Sequence, residues 1–328
     1  MSSLTLRSLH PEDLNRVAEI ESSLTGRSRK AFLEKRLAMA TALPDSFITC
    51  AVLDGDNLAG YGYARVLHGE FGVKSQVGVL VAIGVDAGYQ GKGIGKMVLS
   101  GIEQRMVKKQ VATLETQADW SDHGMVQFFS ANGFALAPGQ IIERDTSPLA
   151  EDVAEVAPVR MDGKWQVHRE AGGSYHDRLA RSRPLVRSLR EDDLAAVVRI
   201  DTKLTGLNRL AYYMANFREM LDDAGIRISM VAEEDGQVTG FIMARVDYGE
   251  YGKVAKAAVI DAIGVHPAYA GSGVGHGLLS QLLANLATLQ VETVRTKVEH
   301  ANFGLRSFLH GRGFKASQRL LLTKELSG

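Results

Sequence analysis

One pattern is written twice in this chain and constrains its architecture more than any other feature. Residues 79–97 read VLVAIGVDAGYQGKGIGKM, and residues 259–277 read VIDAIGVHPAYAGSGVGHG, 180 positions later. Each is an apolar run of β character, a turn, then glycines on alternate positions (Gly91, Gly93, Gly95; Gly271, Gly273, Gly275) that open a helical stretch. A strand that runs through glycines into a helix start is a ready anion site. Backbone N–H groups point outward, the missing side chains permit close approach, and the helix dipole favours negative charge. A phosphate-bearing ligand is expected, with two places to hold it.

The repeat extends well beyond the loops. RSL at 7–9 recurs at 187–189, and Asp13-Leu14 recurs as Asp193-Leu194. Leu24-Thr25-Gly26 with Arg29 recurs as Leu204-Thr205-Gly206 with Arg209, Ala64-Arg65-Val66 as Ala244-Arg245-Val246, and Gly133-Phe134 as Gly313-Phe314. A repeat of this length is a duplicated domain, not a solenoid unit. The expected division is a first domain over 1–146, a linker over 147–184 and a second domain over 185–328. The linker holds a GG pair and the charged run HDRLARSRP, with a short hairpin expected near Lys164-Trp165-Gln166-Val167.

Within each copy the element order is the same. Acids in the first turn and apolar residues at helical spacing (Leu14, Val17, Ile20, Leu24; Leu194, Val197, Ile200, Leu204) predict a first helix. A second helix follows, then strands near 46–53 and 58–67, the strand feeding the loop, the helix after it, a strand, a short helix ending in Gly-Phe and a last strand. Consecutive hairpins imply antiparallel pairing, and the strand–helix–strand unit around the loop adds one parallel pair. The predicted class is α/β, a mixed and mostly antiparallel sheet flanked by helices, made twice.

Composition excludes several alternatives. Thirty-eight basic residues balance thirty-eight acidic ones, so bulk charge argues for neither a nucleic-acid nor a membrane partner. The start, MSSLTLRSLHPEDLNR, lacks the apolar core of a signal peptide, and a cytoplasmic protein is expected. The single cysteine, Cys50, lies in the apolar run FITCAVL and is expected to be a buried structural thiol. No His, Asp, Glu or Cys cluster has metal-ligand spacing, so no metal is expected.

Two familiar nucleotide motifs do not fit the loop. Walker A needs a hydroxyl residue after Gly-Lys, and Gly95-Lys96 is followed by Met97. A dinucleotide fingerprint belongs at the first strand of a parallel unit, whereas this loop follows a meander. The string YQGKGIGKMV instead resembles the Gln/Arg-x-x-Gly-x-Gly/Ala signature of the GCN5-related N-acetyltransferases, filled by Gln90, Gly93 and Gly95. The I-G-V strands, the element order and the FFSANGF and FLHGRGF segments match that family's layout, so the resemblance covers nearly the whole chain apart from the linker.

The resemblance implies two tandem acetyltransferase (GNAT-like) domains that bind acetyl-CoA and pack as an intramolecular pseudo-dimer. It implies that Ile83 and Val85 hydrogen-bond the pantetheine arm, with Gln90, Gly91, Lys92, Gly93, Ile94, Gly95 and Lys96 at the pyrophosphate. In the second copy the corresponding residues are Ile263, Val265, Ala270, Gly271, Ser272, Gly273, Val274, Gly275 and His276. Only the first copy keeps the signature glutamine and two lysines, which favours it as the cofactor site. For proton removal from an acceptor amine, Asp261 stands where many family members carry an acid, opposite Val81 in the first copy. A structural aspartate is the alternative. Glu70 and Glu250, each in a Gly-Glu-aromatic-Gly turn, are further acid candidates, with a plain hairpin as their alternative.

Where the family often places a proton-donating tyrosine, this chain has Phe129 and Leu309. Thr25, Arg29, Thr205 and Arg209 lie where the family lines its acceptor pocket; substrate-carboxylate recognition and helix capping both fit them. The function these residues imply is acetyl-CoA-dependent N-acetylation of a small-molecule amine or a peptide N-terminus. Competing expectations are a degenerate acyl-CoA sensor and aminoacyl transfer from charged tRNA.

Overall fold

The computed structural model describes residues 4–26, 30–68, 76–149, 159–161, 164–166, 184–222, 228–247 and 257–326. The first half runs β1 (Leu4–Arg7), α1 (Leu14–Thr25), α2 (Lys30–Ala42), β2 (Phe47–Asp54), β3 (Asn57–His68), β4 (Gln76–Val85), α3 (Ile94–Lys108), β5 (Thr113–Asp119), α4 (His123–Ala131), β6 (Ala135–Leu136) and β7 (Gly139–Asp145). A short hairpin of β8 (Val159–Met161) and β9 (Lys164–Gln166) follows. The second half repeats the order as β10 (Leu185–Ser188), α5 (Leu194–Thr205), α6 (Leu210–Asp222), β11 (Met230–Glu234), β12 (Gln237–Asp247), β13 (Ala257–Val265), α7 (Val274–Thr288), β14 (Thr293–Glu299), α8 (Phe303–His310), β15 (Lys315–Ala316) and β16 (Arg319–Glu325).

These elements build two seven-stranded mixed sheets, in the orders β1-β2-β3-β4-β5-β16-β6 and β10-β11-β12-β13-β14-β7-β15. Sheet membership therefore departs from the linear order of the repeats. β16 of the second half lies antiparallel against β5 of the first, with Leu321 opposite Gln117 and Thr323 opposite Glu115. Reciprocally, β7 lies against β14, with Ile141 opposite Lys297 and Glu143 opposite Arg295. Each half lends one inner strand to the other's sheet. All other pairings are antiparallel except β4 with β5 and β13 with β14, as the hairpin order implies.

Each sheet carries a core on both faces. On one face α3 buries Val98, Leu99, Ile102 and Met106 against β2–β5, and α7 buries Leu278, Leu279, Leu282 and Leu286 in the same way. On the opposite face α1 and α2, or α5 and α6, cover β2–β4 or β11–β13. Cys50 is fully buried beneath α3, and burial pushes its thiol up, which fits the expected structural thiol.

The repeated RSL and Asp-Leu pairs form a clamp at the start of the first helix in each half. Arg7 donates to both Asp13 oxygens at 2.6 and 2.8 Å, and Asp13 also accepts the His10 amide at 2.8 Å. Arg187, Asp193 and the Arg190 amide repeat this geometry at 2.8, 2.9 and 2.8 Å. Burial raises both carboxyls, but the arginine and amide hydrogen bonds outweigh it and hold each below the usual carboxylate value. Leu-Thr-Gly ends the same helices. Gly26 and Gly206 adopt φ of 70° and 71°, and their amides close on Ser22 and Thr202, a left-handed helix stop.

Candidate active site

In both halves the glycine pattern sits where an open strand edge meets a helix start. β4 pairs with β5 only through Val77, Gly78 and Val79, and then the strands part. The Thr116 hydroxyl donates to the Leu80 carbonyl at 3.0 Å, bridging the crotch of the split, and Thr296 donates to Ile260 at 2.9 Å. Among the described residues, no strand lies against that edge of β4 from residue 81 to Val85. Alternate residues there, the stretch containing Ile83 and Val85, direct N–H and C=O groups into a wedge between strands. β13 with Ile263 and Val265 opens in the same way.

The turn beyond the wedge is built for exposed amides. Asp86 accepts the Gly88 amide at 2.9 Å and starts a single turn of tight helix. Gly91 and Gly93 take φ of 75° and 79°, and Gly271 and Gly273 take 78° and 91°, a conformation costly for any side-chain-bearing residue. The first intrahelical bond of α3 is Met97 N–H to Gly93 O at 3.1 Å, so the amides of Ile94, Gly95 and Lys96 precede it. Gly95 is favoured for another reason: a Cβ there would lie 3.1 Å from the Phe128 ring, which would have to shift by a few tenths of an ångström. Gly275 meets Phe308 at 3.3 Å. Ile94 and Val274 are buried anchors, while Gln90 to Gly93 and Ala270 to Gly273 are exposed.

The copies differ in what surrounds this cradle. Lys92 Nζ folds over the Tyr89 ring at 5.0 Å and donates to Gly88 O at 2.9 Å, keeping a cation on the loop. Tyr89 packs against the α3 core, and its hydroxyl donates to Asp54 at 3.2 Å. In the second copy Ser272 closes on Tyr269 O at 2.7 Å. Lys96 is exposed at the helix start, and His276 is half-buried there.

Other sequence candidates fall in different places. Thr25 and Thr205 bond back to the Glu21 and Asp201 carbonyls, each at 2.9 Å, and Thr205 also accepts the Leu207 amide at 3.2 Å. Arg209 points inward, buried, with Nε on Asp201 at 2.8 Å and a further bond to the same carboxylate. Tyr213 completes that cluster by donating to Asp201 at 2.9 Å, and burial drives its hydroxyl far up. These contacts serve the helix end and the α5–α6 packing. Phe129 and Leu309 are buried in their cores and have no proton to give. Arg29, Glu70 and Glu250 lie outside the described residues.

Asp261 opens onto a feature that the sequence reading did not assign. A cavity of about 60 Å³ lies between the two sheets, on the faces opposite α3 and α7. Its walls are equivalent residues of both halves, Val79 with Val259, Val81 with Asp261 and Thr116 with Thr296, so it sits on the pseudo-twofold axis. Six charged residues line it: Arg65, Arg245, Arg295, Lys297, Glu115 and Asp261. Lys297 donates to both Glu115 oxygens at 2.6 and 2.8 Å, bridging the halves. Arg245 pairs with Asp261 within the second half. The repeat of Ala-Arg-Val at 64–66 and 244–246 was the available signal for two of these arginines. The strand exchange that brings the rest together leaves no local mark.

Among the described residues no cluster of His, Cys, Asp or Glu is placed to hold a metal ion, and no helix is long and apolar enough to cross a membrane.

Comparison with known proteins bears on this arrangement. The family described as Acetyltransferase (GNAT) family matches residues 14–134 and 193–314. No curated protein matches the sequence. Among solved structures, a GCN5-related N-acetyltransferase from Sphaerobacter thermophilus aligns over 99% of this chain and 96% of its own, with 15% identity and a TM-score of 0.60. A tandem GNAT protein from the clavulanic acid biosynthesis pathway aligns over 99% of both chains, with 15% identity and a TM-score of 0.63. A GCN5-related N-acetyltransferase from Kribbella flavida aligns over 99% of this chain and 72% of its own, with 12% identity and a TM-score of 0.58. These likenesses establish the fold. With both family matches spanning a split strand pair, a glycine turn and a helix start, the chain belongs to the GNAT acetyltransferase family and carries its fold twice.

Proposed function

We propose that this protein is an acetyl-CoA-dependent N-acetyltransferase acting on a small-molecule amine or a peptide N-terminus. The observation that carries the proposal is the continuity, in each half, of an open strand edge, a glycine turn with two left-handed residues and a helix start whose first amides precede its first intrahelical bond. That surface fits an elongated ligand with an amide-bearing arm and a pyrophosphate. The edges at Ile83 and Val85, and at Ile263 and Val265, would hold the arm. The turns from Gln90 to Lys96 and from Ala270 to His276 would hold the phosphates. When bound, acetyl-CoA supplies the acetyl group as an activated thioester. The first copy is the stronger binder in this proposal, because Lys92 is already fixed over the loop.

The acceptor must arrive as a free amine, so a proton has to leave its nitrogen. Asp261 lies in the cavity that backs onto the crotch of both splits and is the second half's candidate to accept that proton. Its ion pair with Arg245 competes with that task. The first half has Val81 at the equivalent place, and Glu115 is its carboxylate in the lining. Glu70 and Glu250 remain candidates of the same kind.

A direct test is release of free thiol from acetyl-CoA across a panel of amines and peptides, with Asp261→Asn followed as a function of pH. Amine-dependent release supports the proposal, and an unchanged pH profile in the variant removes Asp261 from it. One observation favours a second proposal, an acyl-CoA sensor: Phe129 and Leu309 are apolar, buried and unable to protonate a leaving thiolate. Tight acetyl-CoA binding with no turnover on any amine would favour that alternative.

A further inference from the structure

We infer that Tyr212 is a positioning residue for Asp261, a role that rests on the proposal that Asp261 takes the acceptor's proton. β13 is bulged at Asp261. β12 pairs Met243 with Ala262 and Ala244 with Ile260, and the register steps over the residue between them. A bulge re-aims the side chain that it carries. The parallel pairing with β14 has already ended at Val259. The Asp261 peptide therefore lies outside the regular ladder on both edges of its strand.

The Tyr212 hydroxyl, on α6, donates to the Asp261 carbonyl at 3.4 Å. Tyr212 is 4% exposed, so water competes little for that bond. Its ring is fixed in turn. The Arg209 guanidinium stacks 5.0 Å from it, and the Tyr213 ring meets it edge-on at 5.0 Å. Arg209 is itself held by both oxygens of Asp201. The arginine of the repeated Leu-Thr-Gly-x-x-Arg segment thus reaches the bulge through a tyrosine. A hydroxyl on the carbonyl fixes the peptide plane, and with it the direction in which the Asp261 side chain leaves the strand.

The first half has the bulge without this apparatus. Its register steps over Val81 in the same way, pairing Tyr63 with Ala82 and Ala64 with Leu80. Phe32 and Leu33 stand where the second half has Tyr212 and Tyr213. The hydroxyl on the buried carboxylate of the first helix, Glu21, comes from Tyr61 of β3 instead. Phe32 shows that the bulge forms without a hydroxyl beside it. What Tyr212 adds in the second half is therefore control of the acid that the bulge carries.

Tyr212→Phe installs the first half's own side chain in the full-length protein. In amine-dependent thiol release its kcat should fall about threefold or more, the scale of one neutral hydrogen bond, with KM for acetyl-CoA within about twofold. In an Asp261→Asn background the same substitution should have no further effect on kcat, because Tyr212 acts through that residue. Tyr213→Phe is the comparison. It should lower the thermal midpoint more than Tyr212→Phe and kcat less, since Tyr213 bonds Asp201 and not the bulge. An unchanged kcat in Tyr212→Phe, an equal fractional loss with and without Asp261, or kcat losses that track the two thermal midpoints would overturn the inference and leave the acetyltransferase proposal standing. Absence of thiol release by the unaltered protein on every amine would overturn that proposal, and the role of Tyr212 with it.

Discussion

The two halves agree at their outer ends and differ at the axis where they meet. The arginine–aspartate clamp, the Leu-Thr-Gly helix stop, the side-chain caps at α4 and α8 and the left-handed glycines all recur in both. At the axis, Glu115 corresponds to Arg295, Gln117 to Lys297 and Val81 to Asp261. Pairing unlike halves sets Glu115 against Lys297. Pairing two second halves in the same way would set Lys297 against Arg295, two cations in a partly buried place. Local features that each half needs to fold have been kept alike. Features at the contact have diverged so that the halves fit each other better than themselves, and each half brings a different acid to the cavity, Glu115 from the first and Asp261 from the second.

The largest expected effect breaks the correspondence between a strand and its own half. Thr323 lies between Glu115 of β5 and Ala135 of β6, so Thr323→Pro should cost about 3 kcal/mol or more. Hydrogen exchange should then speed up in β5 of the first half, far away in sequence. Glu143→Pro, between Arg295 and Lys315, should loosen the second half's sheet instead. Protection lost only in the half that carries the substitution would contradict the exchanged topology.

Next in size is the axial ion pair. Glu115→Ala should destabilise the protein by about 1–3 kcal/mol, because it leaves Lys297 among arginines. Gln117→Ala, which removes a neutral acceptor 3.2 Å from Arg319, should cost less in the same denaturant titration. Equal losses would mean that the charge difference at the axis is not what matches the halves.

The loops are compared by substituting one copy at a time. Gly93→Val forces a branched side chain into a left-handed position and should weaken coenzyme A binding about tenfold, read by calorimetry. Gly273→Val should have the smaller effect if the first loop is the main site. If neither substitution matters, the assignment of both loops fails.

The smallest difference expected lies in the clamps. Both aspartates are held below the ordinary carboxylate value, so each contributes stability that is present above about pH 4 and lost as pH falls through its lowered value in the folded protein. Arg187 has a second carboxylate, Glu233 at 2.7 Å, where the first half has Leu53. Asp13→Asn should therefore lower the thermal midpoint at neutral pH more than Asp193→Asn. The gap should close towards pH 3.

Much of this was legible because the duplication repeats its own signals. The helix starts at Pro11-Glu12-Asp13 and Glu191-Asp192-Asp193, the hairpins and the glycine turns emerge where propensity and periodicity predict them. β1 and β10 did not, being four residues long and exposed or half-buried, with no buried face to impose a period. Strand exchange was invisible for a different reason. Ile141-Ile142 and Leu321-Leu322 present equivalent apolar pairs to nearly equivalent sheets, so alternation fixes which face is buried but not which sheet is joined. The inward turn of Arg209 depends on Tyr213 and Asp201 meeting through tertiary packing, which residue type alone does not convey.

Strand exchange also bears on how the chain is made. During synthesis a half that emerges first ordinarily folds first. Here the first sheet lacks an inner strand until residues 319–325 have left the ribosome, and until then β5 offers an open edge beside only a two-residue β6. Meanwhile β7 lacks its native partner until β14 is made. The nascent chain therefore spends most of its translation with an unpaired inner edge, a period in which two neighbouring ribosomes on one message could exchange strands between chains. Fusing the two halves into one polypeptide raises the local concentration of the correct strand and makes the exchange within a chain the faster outcome.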